Sequence, residues 1–232
     1  MNEMKNNTTM LWTGGKDSSL ALYEAKLLGY KIKSLTTFIP NDVKFLAHPI
    51  EFMKYQAKCL NIPHFTVKII EPFKESYEKA IQTLKEKLGI NVLITGDIAE
   101  INGHPNWIKE CSEYSNIDVF SPLWGIDRYE LIQKFLSYKF KAIFSCVKKP
   151  WFTEKWLGTM LNEDSLEFLV KLHIETGLDI CGENGEYHTL VLNGPIFNKS
   201  IFINKYNKNV KDSIFYIDLK KVSLKKKKNL NL

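Results

Sequence analysis

The 232-residue chain is 44% hydrophobic and 25% charged, a soluble globular balance with enough apolar material for one large core or two smaller ones. Its net charge of +6 comes almost wholly from lysine; with Arg128 the single arginine, bidentate base readout has little scope and sequence-specific DNA binding is excluded as an expectation. No apolar run approaches the ~20 residues that span a bilayer, and Cys59, Cys111, Cys146 and Cys181 form no paired motif, so a cytoplasmic protein with reduced thiols is expected.

Residues 1–9 are polar and lack the apolar core of a signal peptide. A short strand is predicted at 10–12, then the turn Thr13-Gly14-Gly15-Lys16-Asp17-Ser18, then an amphipathic helix at 18–28 closed by Gly29. A strand feeding a Gly-Gly turn and a helix start aims backbone amides and the positive helix end at an anion. Lys16 adds a cation, and Thr13, Ser18 and Ser19 add hydroxyls. Asp17 is the unusual member, because an acid repels phosphate unless a divalent cation lies between them; Mg²⁺ suits that role. The segment is not a Walker loop, lacking its spacing of glycines, which argues against γ-phosphate transfer.

Further strands are predicted at 32–38, 64–69, 92–95 and 118–120, with helices at 51–60, 73–88 and 106–114 between them. That alternation predicts an α/β fold with a parallel sheet, whose ligands bind at the carboxyl ends of the strands. Gly96 and Asp97, after the fourth strand, are therefore expected near the glycine turn. His48 before Pro49 is a candidate substrate contact as well as ordinary loop filler, and His104-Pro105 is a weaker candidate beside Asp97. Beyond Pro122-Leu123-Trp124 the pattern changes to a helix at 128–138, a strand at 142–147, a helix at 165–176 and strands at 187–192, 200–203 and 213–219. The expected organisation is a nucleotide-binding domain at 1–125, a smaller α+β domain at 126–220 packed on its carboxyl edge, and a basic, mobile tail at 221–232. Trp124, Trp151 and Trp156 are expected in the second core, or as a wall for an apolar or cationic group.

Gly182-Glu183-Asn184-Gly185-Glu186-Tyr187-His188-Thr189 is the second notable segment. Asn-Gly predicts a two-residue hairpin, in which Glu183 and Glu186 would face each other. Like charges in that position are unfavourable, so the pair points to a bound cation or amine, or to one carboxyl kept as an acid. His188 and Thr189 extend this candidate site, although a histidine beside a strand is equally a structural residue.

These segments, with Leu157-Gly158 and Gly194-Pro195-Ile196-Phe197, resemble the PP-loop ATP pyrophosphatases of the adenine nucleotide alpha hydrolase-like superfamily. More narrowly, the chain resembles the diphthine–ammonia ligase family over nearly its whole length. The resemblance implies a Rossmann-like, doubly wound parallel sheet of the HUP type, a smaller C-terminal α+β domain, and ATP and Mg²⁺ as cofactors. It implies ATP-dependent amidation, in which a carboxylate attacks the α-phosphorus, pyrophosphate leaves, and ammonia displaces AMP from the acyl-adenylate. Gly14, Gly15, Ser18 and Ser19 would then cradle the pyrophosphate, with Lys16 neutralising it, Asp17 holding Mg²⁺, and Thr13, Gly96 and Asp97 completing the nucleotide side. Glu183 and Glu186 would bind ammonium or take its proton, with His48, Trp124, Asn184, His188 and Thr189 toward the acceptor. Thr13 stands where the family usually has Ser; Asn184 and His188 stand where eukaryotic and archaeal members commonly have Gly and Glu. The implied acceptor is a carboxylate on a protein or small molecule, diphthine of elongation factor 2 in an archaeal or eukaryotic host. The Lys-, Asn- and Ile-rich composition suggests an AT-rich, bacterial genome, whose member would need another acceptor. No DNA or membrane partner is expected, and a homodimer is compatible. Two alternatives stay open: a PP-loop tRNA-modifying enzyme that adenylates a base, and a nucleotide-binding module without turnover.

Overall fold

The computed structural model describes residues 7–41, 46–100 and 106–227. In chain order its elements begin β1 (Thr8–Leu11), α1 (Lys16–Leu27), β2 (Ile32–Pro40), α2 (Ile50–Leu60), β3 (His64–Ile69), α3 (Phe73–Leu88), β4 (Val92–Ile94), α4 (Trp107–Ser112) and β5 (Asp118–Phe120). They continue with α5 (Arg128–Ser137), β6 (Lys141–Lys148), α6 (Glu163–Thr176), β7 (Tyr187–Asn193), β8 (Lys199–Lys211) and β9 (Ile214–Lys226). The described residues form two compact units. One takes those within Met1–Thr13, Asp17–Lys44 and Ile62–Gly125; the other takes those within Gly14–Lys16, Phe45–Asn61 and Ile126–Leu232. Where the sequence suggested a single cut at 125/126, two early segments cluster with the C-terminal residues.

The first unit is built on a five-stranded sheet of order β3-β2-β1-β4-β5, parallel throughout. Its central strands are near-continuous apolar runs, as a parallel sheet covered by helices requires. Met10, Leu35, Leu93 and Ile94 are fully buried. The polar exceptions pair with one another: Thr9 Oγ1 donates to the Ser34 carbonyl at 3.0 Å and lies 2.9 Å from Thr36 Oγ1. A second cluster joins Ile81, Leu84, Ile90, Leu93, Cys111 and Ile117 under α3 and α4. Helix α1 closes at Gly29 (φ +85°), and the Tyr30 amide donates to the Ala25 carbonyl at 3.0 Å. The strand order reverses between β1 and β4, so the loops leaving these two strands bound the crevice where doubly wound folds take their ligands.

The second unit is an antiparallel sheet of order β7-β6-β9-β8. Phe144, Phe152 and Tyr187 are buried in its core, and the Trp156 and Phe168 rings join them, with centroids 4.4 Å apart. Helix α6 starts with a capping box between Asn162 and Ser165, worth about 1 kcal/mol, and stops at Gly177 (φ +74°). Three sequence expectations are corrected here. The lysine run expected as a mobile tail is, through Lys226, the second half of β9, held by pairing with β8. Strand β8 itself runs on to Lys211, well past the predicted 203. Trp124 is 40% exposed and belongs to the first unit, so it is not part of the second core.

Candidate functional site

In the first unit, the carbonyl of Trp12 accepts from Thr37 Oγ1 at 2.6 Å, which fixes the end of β1 where the glycine turn begins. Thr13 Oγ1 donates to Ser18 Oγ at 3.2 Å, bridging the turn to the first turn of α1. Ser18 and Ser19 are buried, and Ser19 Oγ has no hydrogen-bond partner among the described residues. A buried hydroxyl left in that state costs ~1–3 kcal/mol, a cost that a bound acceptor would offset. At the end of β4, a Cβ on Gly96 would lie 2.8 Å from the Ser18 amide nitrogen, so only glycine lets this loop come so close to the helix start. Asp97 follows. Burial raises its carboxyl above the ordinary range, a hydrogen bond from Thr95 works the other way, and the negative charge of Asp17 raises it further. Gly96-Asp97, expected near the Gly14-Gly15 turn, thus meets the Asp17-Ser18 helix start within this unit.

The fit to a nucleotide and a divalent ion follows from these groups. Helix α1 supplies amide donors for an anion, beside an orphaned serine hydroxyl. Asp17 and Asp97 are two carboxylates whose mutual repulsion a Mg²⁺ ion would relieve. No group of three or more potential metal-binding side chains occurs among the described residues.

In the second unit, Gly14 adopts φ +77°, and its carbonyl accepts from the Val191 amide at 3.0 Å and from Gln56 Nε2 at 2.8 Å. Gln56 Nε2 also donates to the Val191 carbonyl at 2.9 Å, and Gln56 Oε1 occupies the space where a Gly14 Cβ would stand. The Lys16 amide donates to Thr189 Oγ1 at 3.0 Å. The glycine turn is therefore stapled to α2 and β7 by three donors. Lys16 is buried; its Nζ donates to the Cys181 carbonyl and lies 5.3 Å from the Tyr187 ring centroid. Gln56 and Tyr187 were missed from the sequence. The usable signal for Gln56 was an amide on the α2 face otherwise made of Phe52, Met53, Ala57 and Leu60.

The segment 179–187 is not the expected hairpin. Residues 179–186 contain no strand; two consecutive turns close instead, with the Gly182 amide donating to the Asp179 carbonyl and the Gly185 amide to the Gly182 carbonyl, at 2.9 and 3.0 Å. Carboxylates organise this loop. Glu186, 2% exposed, accepts from the Asp179 and Asn184 amides, both at 3.0 Å, and from Asn184 Nδ2 at 3.3 Å. Asp179 accepts from the Cys181 amide at 2.7 Å and from Arg128 Nε at 3.1 Å. Glu183 is half-buried and Asn184 exposed on the same loop. The His188 and His48 rings meet edge to face at 4.9 Å, and burial, then the Lys16 ammonium, pushes His188 down to about 4. His188 is thus neutral near pH 7. His104 and Pro105 lie outside the described residues.

The four cysteines are buried thiols. Burial pushes Cys146 up to about 12 and Cys111 up to about 11, and raises Cys59 as well. Persulfide or thiolate chemistry of the kind used in tRNA thiolation has no suitable nucleophile among those three. Among the described residues, no helix is long and apolar enough to cross a membrane.

Comparison with known proteins bears on the same regions. Residues 5–117 match the model of the diphthamide synthase N-terminal domain, and residues 127–225 that of the C-terminal domain. A diphthine–ammonia ligase of Schizosaccharomyces pombe is 27% identical over 218 residues, covering 83% of this chain and 35% of that protein. The chain therefore spans about a third of that relative. A diphthine–ammonia ligase of Bos taurus is 24% identical over 224 residues, covering 84% of this chain and 81% of that protein. A solved structure, a predicted subunit of tRNA methyltransferase from Methanocaldococcus jannaschii, superposes with a TM-score of 0.45 at 20% identity over 82% of this chain and 97% of that one. With both halves matched, the chain belongs to the diphthamide synthase family, a family of enzymes whose curated members include diphthine–ammonia ligases.

Proposed function

We propose that this protein is an AMP-forming ligase that uses ATP and ammonia to amidate a carboxylate of the diphthine type. The observation that carries the reading is the glycine turn at the β1 end, where Gly96-Asp97 of the neighbouring β4 closes on the first turn of α1. In this reading the amides of 14–19, with the hydroxyls of Thr13, Ser18 and Ser19, bind the leaving pyrophosphate. Asp17 and Asp97 would hold Mg²⁺, which supplies charge neutralisation on the phosphate oxygens. Lys16 contributes a fixed positive charge beside the glycine turn. Attack by the acceptor carboxylate on the α-phosphorus breaks the α–β bridge and forms an acyl-adenylate, and ammonia then displaces AMP. Glu183 serves the ammonium or its proton, His188 stays neutral as a polar contact on β7, and Glu186 holds the loop that carries Glu183. Trp124, His48, Asn184 and Thr189 remain the proposed acceptor contacts.

The test is the product of ATP turnover with ammonium and diphthine-bearing elongation factor 2 as acceptor. AMP, pyrophosphate and the amidated acceptor are expected; ADP with phosphate would overturn the α-phosphate reading. Asp17→Asn should lower turnover on the order of 10²-fold or more, the scale of losing a metal's charge stabilisation. Near-normal turnover in that variant would remove Asp17 from the metal role.

A further inference from the structure

Strands β8 and β9 form a two-stranded ribbon, each 13 residues long, or about 40 Å at strand rise. Strand β8 ends the sheet, and β9 pairs with β6 only from Ile214 to Tyr216. Opposed residues of antiparallel strands share a face, so the register sorts the ribbon into two surfaces. One carries Ile201, Ile203, Val222 and Leu224 and turns inward, with Ile201 buried. The other carries Phe202, Lys205, Lys211, Lys221, Ser223 and Lys225. All four of these lysines are exposed, Phe202 is 42% exposed, and the Lys225 ammonium lies 4.6 Å from the Phe202 ring centroid.

Lysines on an edge strand are commonly a guard against edge-to-edge pairing. That purpose needs them singly. Here Lys205 stands directly opposite Lys221 at an irregularity in the ladder. Facing like charges destabilise a sheet, so folding alone disfavours two cations there. They make sense as paired cations for a row of anions. Lysine meets phosphate oxygens as a point charge, and an exposed aromatic among the lysines offers a stacking platform. Protein–protein interfaces deplete lysine, whereas nucleic-acid interfaces concentrate positive charge.

We propose that the outer face of the β8–β9 ribbon binds the phosphate backbone of single-stranded RNA without sequence preference, Phe202 stacking on a base. The inference is independent of the ligase reading and concerns a surface with no part in it. The test is fluorescence anisotropy with a labelled oligo-uridine strand and the full chain, from 50 to 200 mM salt, with poly-glutamate as competitor. Four lysine–phosphate contacts on a single strand predict a log–log salt slope of about −3, or about fifty-fold weaker binding across that range. The triple variant Lys205→Gln, Lys221→Gln, Lys225→Gln should bind at least tenfold more weakly and flatten the slope by about 2. Phe202→Ala should weaken binding severalfold without changing the slope, and the melting temperature of each variant reports its fold. No binding at 50 mM salt, unchanged affinity in a folded triple variant, or poly-glutamate competing as strongly as unlabelled RNA would overturn the proposal, the last in favour of an acidic protein partner.

Discussion

Gln56 shows how one side chain can hold a glycine turn. It is fully buried, and its amide spans the carbonyls of Gly14 and Val191. Gln56→Leu keeps the bulk but removes a donor from each carbonyl, Gly14 keeping the Val191 amide, at a cost of about 1–3 kcal/mol for the hydrogen bonds lost. A lower melting temperature is expected, together with ATP affinity weakened about tenfold, the equivalent of about 1.4 kcal/mol. Calorimetric titration with ATP checks it; unchanged affinity in a destabilised variant would confine Gln56 to folding. His188 makes a second prediction. Its folded pKa of about 4 lies below its ordinary value of 6.5. The unfolded chain therefore binds the proton first as pH falls, and stability present above pH 6.5 is lost progressively toward pH 4. The loss is at most about 3 kcal/mol, reduced by solvent screening at a half-buried ring. Thermal melts should show the wild type losing more between pH 6.5 and 4 than His188→Gln does; parallel losses would mean the histidine is not the group responsible.

At the scale of elements, the loop 179–187 and the β4 end can each be tested within their own unit. Glu186→Gln puts an NH₂ group where the Asp179 and Asn184 amides now donate. It should lower stability by about 1–3 kcal/mol. A denaturant titration with an unchanged midpoint would return Glu186 to a purely chemical role. Gly96→Ala drives a Cβ against the Ser18 backbone nitrogen, so the β4 loop or the helix start must shift. Nucleotide binding should weaken more in that variant than in Gly89→Ala, whose Cβ meets nothing within 4 Å but whose positive φ is strained. The same elements show what was legible in sequence. The β1–glycine turn–α1 unit could be read because every signal in it is local: an apolar strand, two glycines, a helix start. The hairpin that Asn184-Gly185 alone would favour does not form because Glu186 is captured by amides on its own loop, a competition that turn propensity alone does not weigh. The lengths of β8 and β9 were underestimated because Lys and Asn are poor strand formers, and cross-strand pairing overrides that preference. Gln56 carried only a faint mark, one polar residue on an apolar face, because its partners lie 42 and 135 residues away.

Over the whole molecule, neither compact unit is one continuous stretch of chain. Helix α2 lies in the N-terminal half of the sequence, yet its buried face of Phe52, Met53, Gln56 and Cys59 belongs with the C-terminal residues. The Asn198 amide donates to the Cys59 carbonyl at 2.7 Å, and Gln56 reaches Val191. A fragment cut at 125/126 would therefore separate α2 from the strands that bury it. We expect residues 1–125 expressed alone to leave α2 unprotected in hydrogen exchange and to bind a hydrophobic dye. Residues 126–232 added in trans should restore protection to 50–60 selectively, because they bring back β7 and β8. A fragment 1–125 with α2 as protected as in the full chain would show that the helix draws its stability from the N-terminal half instead, and that the interleaving of the two units is incidental to folding.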